Sequence, residues 1–257
     1  VALPEMRRHG YSGALSAGSL AAGGTLGILI PPSVVLIIYA LLTEQNIVKL
    51  FLAATIPGLM AVIGFVLAIA VYVRIFPQEA AASERIPVKA RIGALAGIWH
   101  VVAVFVGVLG GIYAGFFTPS QGAAVGVVMV AAVGLILRSL TAKGLLDSIV
   151  ETATASAMIF AIIFGADLFN VALALTRIPT LAAGWLQSAD IAPMLILLVL
   201  IGFYLVMGCI MDSLSMILLT VPVFFPAFMV LDFGMTELHQ AMWFGIISLI
   251  VVELGMI

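Results

Sequence analysis

Asp212 stands in Met207-Gly208-Cys209-Ile210-Met211-Asp212-Ser213-Leu214-Ser215, a short polar break between two apolar runs. A carboxylate flanked by Gly208, Ser213 and Ser215 offers hard oxygen ligands to a small cation, and acids at membrane depth usually mark ion pathways. The same residues equally describe an aspartate that caps a helix start, and the two roles are compatible. A second candidate is Ala22-Gly23-Gly24-Thr25-Leu26-Gly27-Ile28-Leu29-Ile30-Pro31-Pro32-Ser33. Pro31 and Pro32 lack backbone donors, and Pro31 pushes Ile30 out of the α region, so several carbonyls lose their helical partners. Backbone of that kind is tolerated in hydrocarbon only where it is buried in protein or lines a wet cavity, and broken helices at that depth bind ions and anions. A proline-kinked helix packed on small residues accounts for the same letters. Glu253 and Asp167, also set among apolar residues, read either as functional acids or as groups that snorkel or pair within a bundle.

The elements that position these residues follow from composition. Of 257 residues, 64% are hydrophobic and 9% charged, with a mean hydropathy of +1.32, whereas soluble domains carry roughly 25% charged residues. The chain is expected to be an all-α polytopic membrane protein. A net charge of -2 carries no nucleic-acid signal. Cys209 is the single cysteine, so no internal disulfide can form, and no His/Cys cluster suggests a metal centre. His9, His100 and His239 fall near segment ends and read as interfacial or solvated. No G-x-S-x-G, H-E-x-x-H or Walker A loop is present, so an enzyme and ATP hydrolysis are not expected.

Apolar runs long enough to cross about 30 Å of hydrocarbon fall at 13–42, 47–73, 93–115, 119–137 and 192–231, and another begins at 241. Segment 148–176 carries Glu151, Asp167, Thr152, Thr154 and Ser156 and reads as a helix packed inside the bundle. Thr118-Pro119-Ser120-Gln121 reads as a capped helix start, and Pro222 and Pro226 as kinks in the returning arm of 192–231. Arg7 and Arg8, the 74–92 loop (Arg74, Arg85, Lys89, Arg91) and the 138–147 loop (Arg138, Lys143) hold most of the cations and should be cytoplasmic. The alternate loops contain only Arg177 as a cation, and 232–240 holds Asp232 and Glu237 with no Lys or Arg. Since 177–191 and 232–240 then share the external side, the run 192–231 must enter and return to one face. Its turn carries Asp212 but no Lys or Arg, which favours a re-entrant hairpin over two full spans. A weak echo between Gly24-Thr25-Leu26-Gly27-Ile28-Leu29-Ile30 and Glu253-Leu254-Gly255-Met256-Ile257, entered from opposite faces, is what inverted repeats predict. With Val1 in a polar stretch and Ile257 inside an apolar one, the chain reads as an internal fragment.

The strings Pro4-Glu5-Met6-Arg7-Arg8-His9-Gly10-Tyr11 and Ala21-Ala22-Gly23-Gly24-Thr25-Leu26-Gly27-Ile28-Leu29-Ile30-Pro31-Pro32-Ser33 closely resemble the large membrane (permease, DctM-type) subunit of tripartite ATP-independent periplasmic (TRAP) transporters. So do Lys49-Leu50-Phe51-Leu52-Ala53 with Ile56-Pro57-Gly58, Phe117-Thr118-Pro119-Ser120-Gln121-Gly122-Ala123-Ala124, and Gly208 with Asp212. Gln121 and Gly122 depart from the usual acid and alanine. The resemblance implies an elevator-type, inverted-repeat fold, with 1–92 closing the first repeat and the cytoplasmic connection, and 93–257 forming most of the second. It implies a sodium-coupled symporter in the bacterial or archaeal inner membrane, taking up organic acids such as C4-dicarboxylates or sialic acid. A small four-helix membrane subunit and a periplasmic substrate-binding protein would be its partners, and no cofactor beyond the coupling ion is expected. Gly23, Gly24, Thr25, Gly27, Pro31, Pro32, Ser33, Gly208, Asp212, Ser213 and Ser215 would bind substrate or ion, with Gly24, Thr25 and Asp212 on sodium. The stretch Gly23 to Ser33 is expected to be non-helical at its centre. The competing classes are a membrane scaffold or intramembrane enzyme, and a channel, which the lack of repeated rings of like side chains disfavours.

Overall fold

The computed structural model describes residues 2–80, 93, 97–188 and 191–256, and the described residues form helices, turns and bends without a strand. In chain order the helices are α1 (Ala2–Arg8), α2 (Gly13–Leu29), α3 (Val34–Leu42), α4 (Ile47–Ile75), α5 (Trp99–Tyr113), α6 (Pro119–Ile136), α7 (Ala142–Thr176), α8 (Ile178–Ser188), α9 (Pro193–Gly208), α10 (Ser213–Met229) and α11 (Glu237–Gly255). Four of them, α4, α6, α7 and α11, are long and apolar enough to cross a membrane, and the bent pair α2 and α3 makes a fifth candidate. The protein is therefore an all-α polytopic membrane protein. Residues 81–92, which hold most of the basic 74–92 loop, lie outside the described residues.

Polar residues at the starts fix the helix registers. Ser12, Ser33, Asn46, Thr118, Asp212 and Thr236 each accept the amide three residues on, a cap worth about 1 kcal/mol. Thr118 and Gln121 form the reciprocal capping box, with Pro119 in the first turn as expected.

The chain divides into two compact units, Val1–Ala81 with Ile162–Ile257, and Ala82–Ala161. These units describe packing and do not bear on the expected repeat division at 92/93. In the first unit, Tyr39, Tyr204, Phe228 and Phe244 are buried among α3, α9, α10 and α11. Lipid tails give helices no apolar reason to associate, so packing and interhelical hydrogen bonds hold such a core. The Tyr39 hydroxyl donates to the Ala241 carbonyl, Tyr204 and Thr220 share a bond of 2.9 Å, and the Gln240 amide donates to the carbonyls of Phe228 and Leu231. In the second unit α5 packs on α6, with Phe117 and Ile112 filling the space above Gly111 and Gly122.

α9 and α10 have 16 and 17 residues, about 24 to 26 Å each, short of an untilted crossing. They pair in opposite directions, Phe203 against Phe224 and Tyr204 against Thr220, in keeping with the hairpin read from 192–231. Pro222 and Pro226 sit inside α10, which continues through both. The expectation for 148–176 is corrected. Only Ala166 of α7 is buried, while Met158, Phe160, Phe164 and Leu168 are exposed. The physical reason is local: Ser148, Thr152 and Thr154 return their hydroxyl protons to carbonyls four residues back, so the polar residues need no partner helix.

Candidate functional site at the broken span and the hairpin turn

The break in the first span is narrower than the sequence suggested. α2 runs unbroken to Leu29, so Gly23, Gly24, Thr25 and Gly27 are helical, and only Ile30 to Ser33 leave the helix before α3 begins at Val34. Each glycine disfavours a helix by only about 1 kcal/mol, whereas each orphaned peptide group in hydrocarbon costs several, so the glycines stay helical and the prolines make the break. Ile30 caps α2 at φ -82° and ψ 126°, the extended conformation that a following proline imposes. Its amide still reaches the Leu26 carbonyl at 2.9 Å. The carbonyls of Gly27 and Ile28 would have taken the amides of residues 31 and 32, which as prolines have none. Gly24 keeps a regular helical setting, with its carbonyl facing the Ile28 amide, so the ladder-free carbonyls lie further along than expected. The Pro31–Pro32 bond is cis, and α2 and α3 meet at 42°. Buried Ser33 opens α3 by accepting the Leu36 amide at 3.3 Å.

The hairpin turn is anchored by its neighbours. Asp212 is exposed, and its carboxylate accepts the Ser215 amide at 3.0 Å, the capping role that the sequence left open beside ion binding. Ser213 is buried and its hydroxyl donates to Oε1 of Glu253 on α11. Gly208 lies against α11 so closely that a Cβ there would stand 2.7 Å from the Val252 carbonyl, and one on Gly255 would stand 2.6 Å from the Leu205 carbonyl. Only glycine at both positions lets the end of α9 touch the end of α11.

Glu253 then links hairpin and broken span. It lines a cavity of about 360 Å³ together with Thr25, Leu29, Ala61, Phe65 and Ile250. The Thr25 hydroxyl, buried, donates to the Ala22 carbonyl at 3.0 Å, which leaves its lone pairs unspent. Thr25, Gly208 and Ser213 are thus brought to the surroundings of Glu253. No hydrogen bond joins Asp212 or Ser215 to them among the described residues, and Asp167 is exposed on α7. The sequence rated Glu253 no higher than Asp167, and the signal that separates them is the echo itself, since Thr25-Leu26 and Glu253-Leu254 line one cavity.

The family model of the tripartite ATP-independent periplasmic transporter DctM component matches residues 1–257. The chain is 34% identical to a C4-dicarboxylate TRAP transporter large permease protein of Pseudomonas aeruginosa, covering all of this chain and 58% of that one. It is 32% identical to the protein of the same description in Rhodobacter capsulatus, over all of this chain and 60% of the relative. To a sialic acid TRAP transporter large permease protein of Vibrio cholerae it is 27% identical, over 99% of this chain and 58% of the other. The chain spans about three fifths of the length of these relatives.

Proposed function

The chain belongs to the DctM component family of tripartite ATP-independent periplasmic transporters, and from that premise we propose that it forms part of the large permease of a sodium-coupled uptake system for small organic acids. The observation that carries this reading is the break at Ile30 to Ser33, which leaves the Gly27 and Ile28 carbonyls without helical donors, together with the short-helix turn at Gly208 to Asp212. Freed carbonyls suit sodium, and the amide end of α3 suits a carboxylate. Thr25 and Asp212 remain proposed ion ligands, while the carbonyl donors shift from Gly24 to Gly27 and Ile28. The relatives' names make a C4-dicarboxylate or a sialic acid the first substrates to test. A periplasmic binding protein would deliver the acid and a small four-helix membrane subunit would accompany the permease in a prokaryotic cytoplasmic membrane. An inverted-repeat, elevator-type architecture is supported by the two echoing segments lining one cavity. Uptake of a labelled organic acid into proteoliposomes holding the full-length permease and its small subunit, with the binding protein outside, tests the proposal. Uptake should rise with an inward sodium gradient and vanish when choline replaces sodium; equal uptake in choline refutes the coupling.

A further inference from the structure

Four buried side-chain oxygens lack a hydrogen-bond partner among the described residues: Ser16 Oγ, Glu79 Oε2, Asn170 Oδ1 and Glu253 Oε2. Glu253 differs from the rest in being an acid that is only 4% exposed and set inside a membrane helix. Its surroundings are unfavourable to a bare negative charge in three ways. The cavity beside it is apolar apart from Thr25, so Oε2 has given up water without a replacement. It sits in the last turn of α11, where the helix dipole presents its negative end and favours a cation. No Lys, Arg or His pairs with it among the described residues, and the nearest charged neighbour along the hairpin, Asp212, is of the same sign.

The oxygens around the cavity are nonetheless arranged as acceptors. Ser213 spends its proton on Oε1 of Glu253, and Thr25 spends its proton on the Ala22 carbonyl. Both Oε2 of Glu253 and Oγ1 of Thr25 are left with lone pairs and nothing to accept. One carboxylate oxygen with one hydroxyl oxygen forms a hard donor pair of net charge -1, and a cavity of about 360 Å³ has room for an ion with water in its remaining ligand positions. We propose that Glu253 is a side-chain ligand for a monovalent alkali cation, bound between α11 and α2 with Thr25 as its second protein ligand. This inference rests on the sodium-coupled reading and adds to it a charged ligand on the element that also holds the hairpin turn.

The test uses the full-length permease with its small membrane subunit, purified in detergent, and follows thermal unfolding as NaCl replaces choline chloride at constant ionic strength. Sodium should raise Tm in a saturable manner. In Glu253→Gln, which keeps the Ser213 contact and the shape, the sodium midpoint should rise at least tenfold, while Tm in choline should equal or exceed that of the parent because an uncompensated buried charge has gone. Thr25→Val should weaken the sodium response and Thr25→Ser should preserve it, a contrast that guards against a folding artefact in any one variant. An unchanged sodium midpoint in Glu253→Gln overturns the proposal and leaves sodium-coupled transport standing. Stabilisation of the parent by acid alone, removed in Glu253→Gln with the sodium midpoint intact, overturns it in favour of a proton. A parent that shows neither a sodium-dependent Tm nor sodium-dependent uptake overturns the transport reading along with it.

Discussion

A methyl group added at Gly208 or Gly255 has nowhere to go, whereas one added at Gly23 meets nothing within 4 Å. The obstacle at the first two positions is a backbone carbonyl, which cannot swing aside as a flexible side chain can. Gly208→Ala and Gly255→Ala should each therefore lower stability by about 1 to 3 kcal/mol, the usual range for overpacking, read as a fall in Tm in detergent. Gly23→Ala should leave Tm level or raise it, since alanine favours a helix over glycine by about 1 kcal/mol. A fall in the sodium or substrate response of Gly23→Ala at unchanged Tm would then mark a functional role that packing cannot supply. Asp212 calls for a different pair of variants, because it caps α10 through the Ser215 amide. Asn can cap as Asp does, while Ala forfeits about 1 kcal/mol. Asp212→Asn should hold Tm and weaken sodium affinity in uptake about tenfold, which is about 1.4 kcal/mol; unchanged sodium dependence would reduce Asp212 to the cap alone.

At the scale of elements, the broken span tests whether irregular backbone serves transport. Replacing Pro31 and Pro32 together by alanine restores donors to the Gly27 and Ile28 carbonyls and permits one helix from α2 into α3. The double variant should keep or gain thermal stability and lose at least nine tenths of uptake, and normal uptake would show that the break is only a bend. Much of this element was legible beforehand, because a proline acts on its immediate neighbours and Ile30 is extended as expected; the caps read at Thr118 and Asp212 also form, while the cap at Ser33 was not anticipated. The helical state of Gly23, Gly24 and Gly27 was not, since it depends on a balance between local preference and the surrounding hydrocarbon. Nor was the contact between Ser213 and Glu253, which are 40 residues apart in sequence and meet only through the docking of α9 on α11 at Gly208 and Gly255. α7 misled for the opposite reason, its Thr and Ser residues being satisfied within their own helix.

At the scale of the whole molecule, topology follows from where the cations lie. Gln78, beyond the end of α4, should face the cytoplasm and Met235, before α11, the outside. In a Cys209→Ser background, needed because Cys209 is exposed and free, single cysteines at these positions should react oppositely with an impermeant maleimide in whole cells. Labelling of position 78 alone would invert the topology, and equal labelling would require an extra crossing and remove the hairpin. α7 adds a constraint of another kind. Its 35 residues make a rod of about 52 Å, and even at a tilt of 40° about 40 Å of it lies along the bilayer normal, against about 30 Å of hydrocarbon. Asp147 and Glu151 fall within its first ten residues, so the overhang carries them into the headgroups. Length beyond the hydrocarbon has to go into tilt or into overhang, so a thinner bilayer should favour more of both and a thicker one less, which couples α7 to the thickness of its membrane.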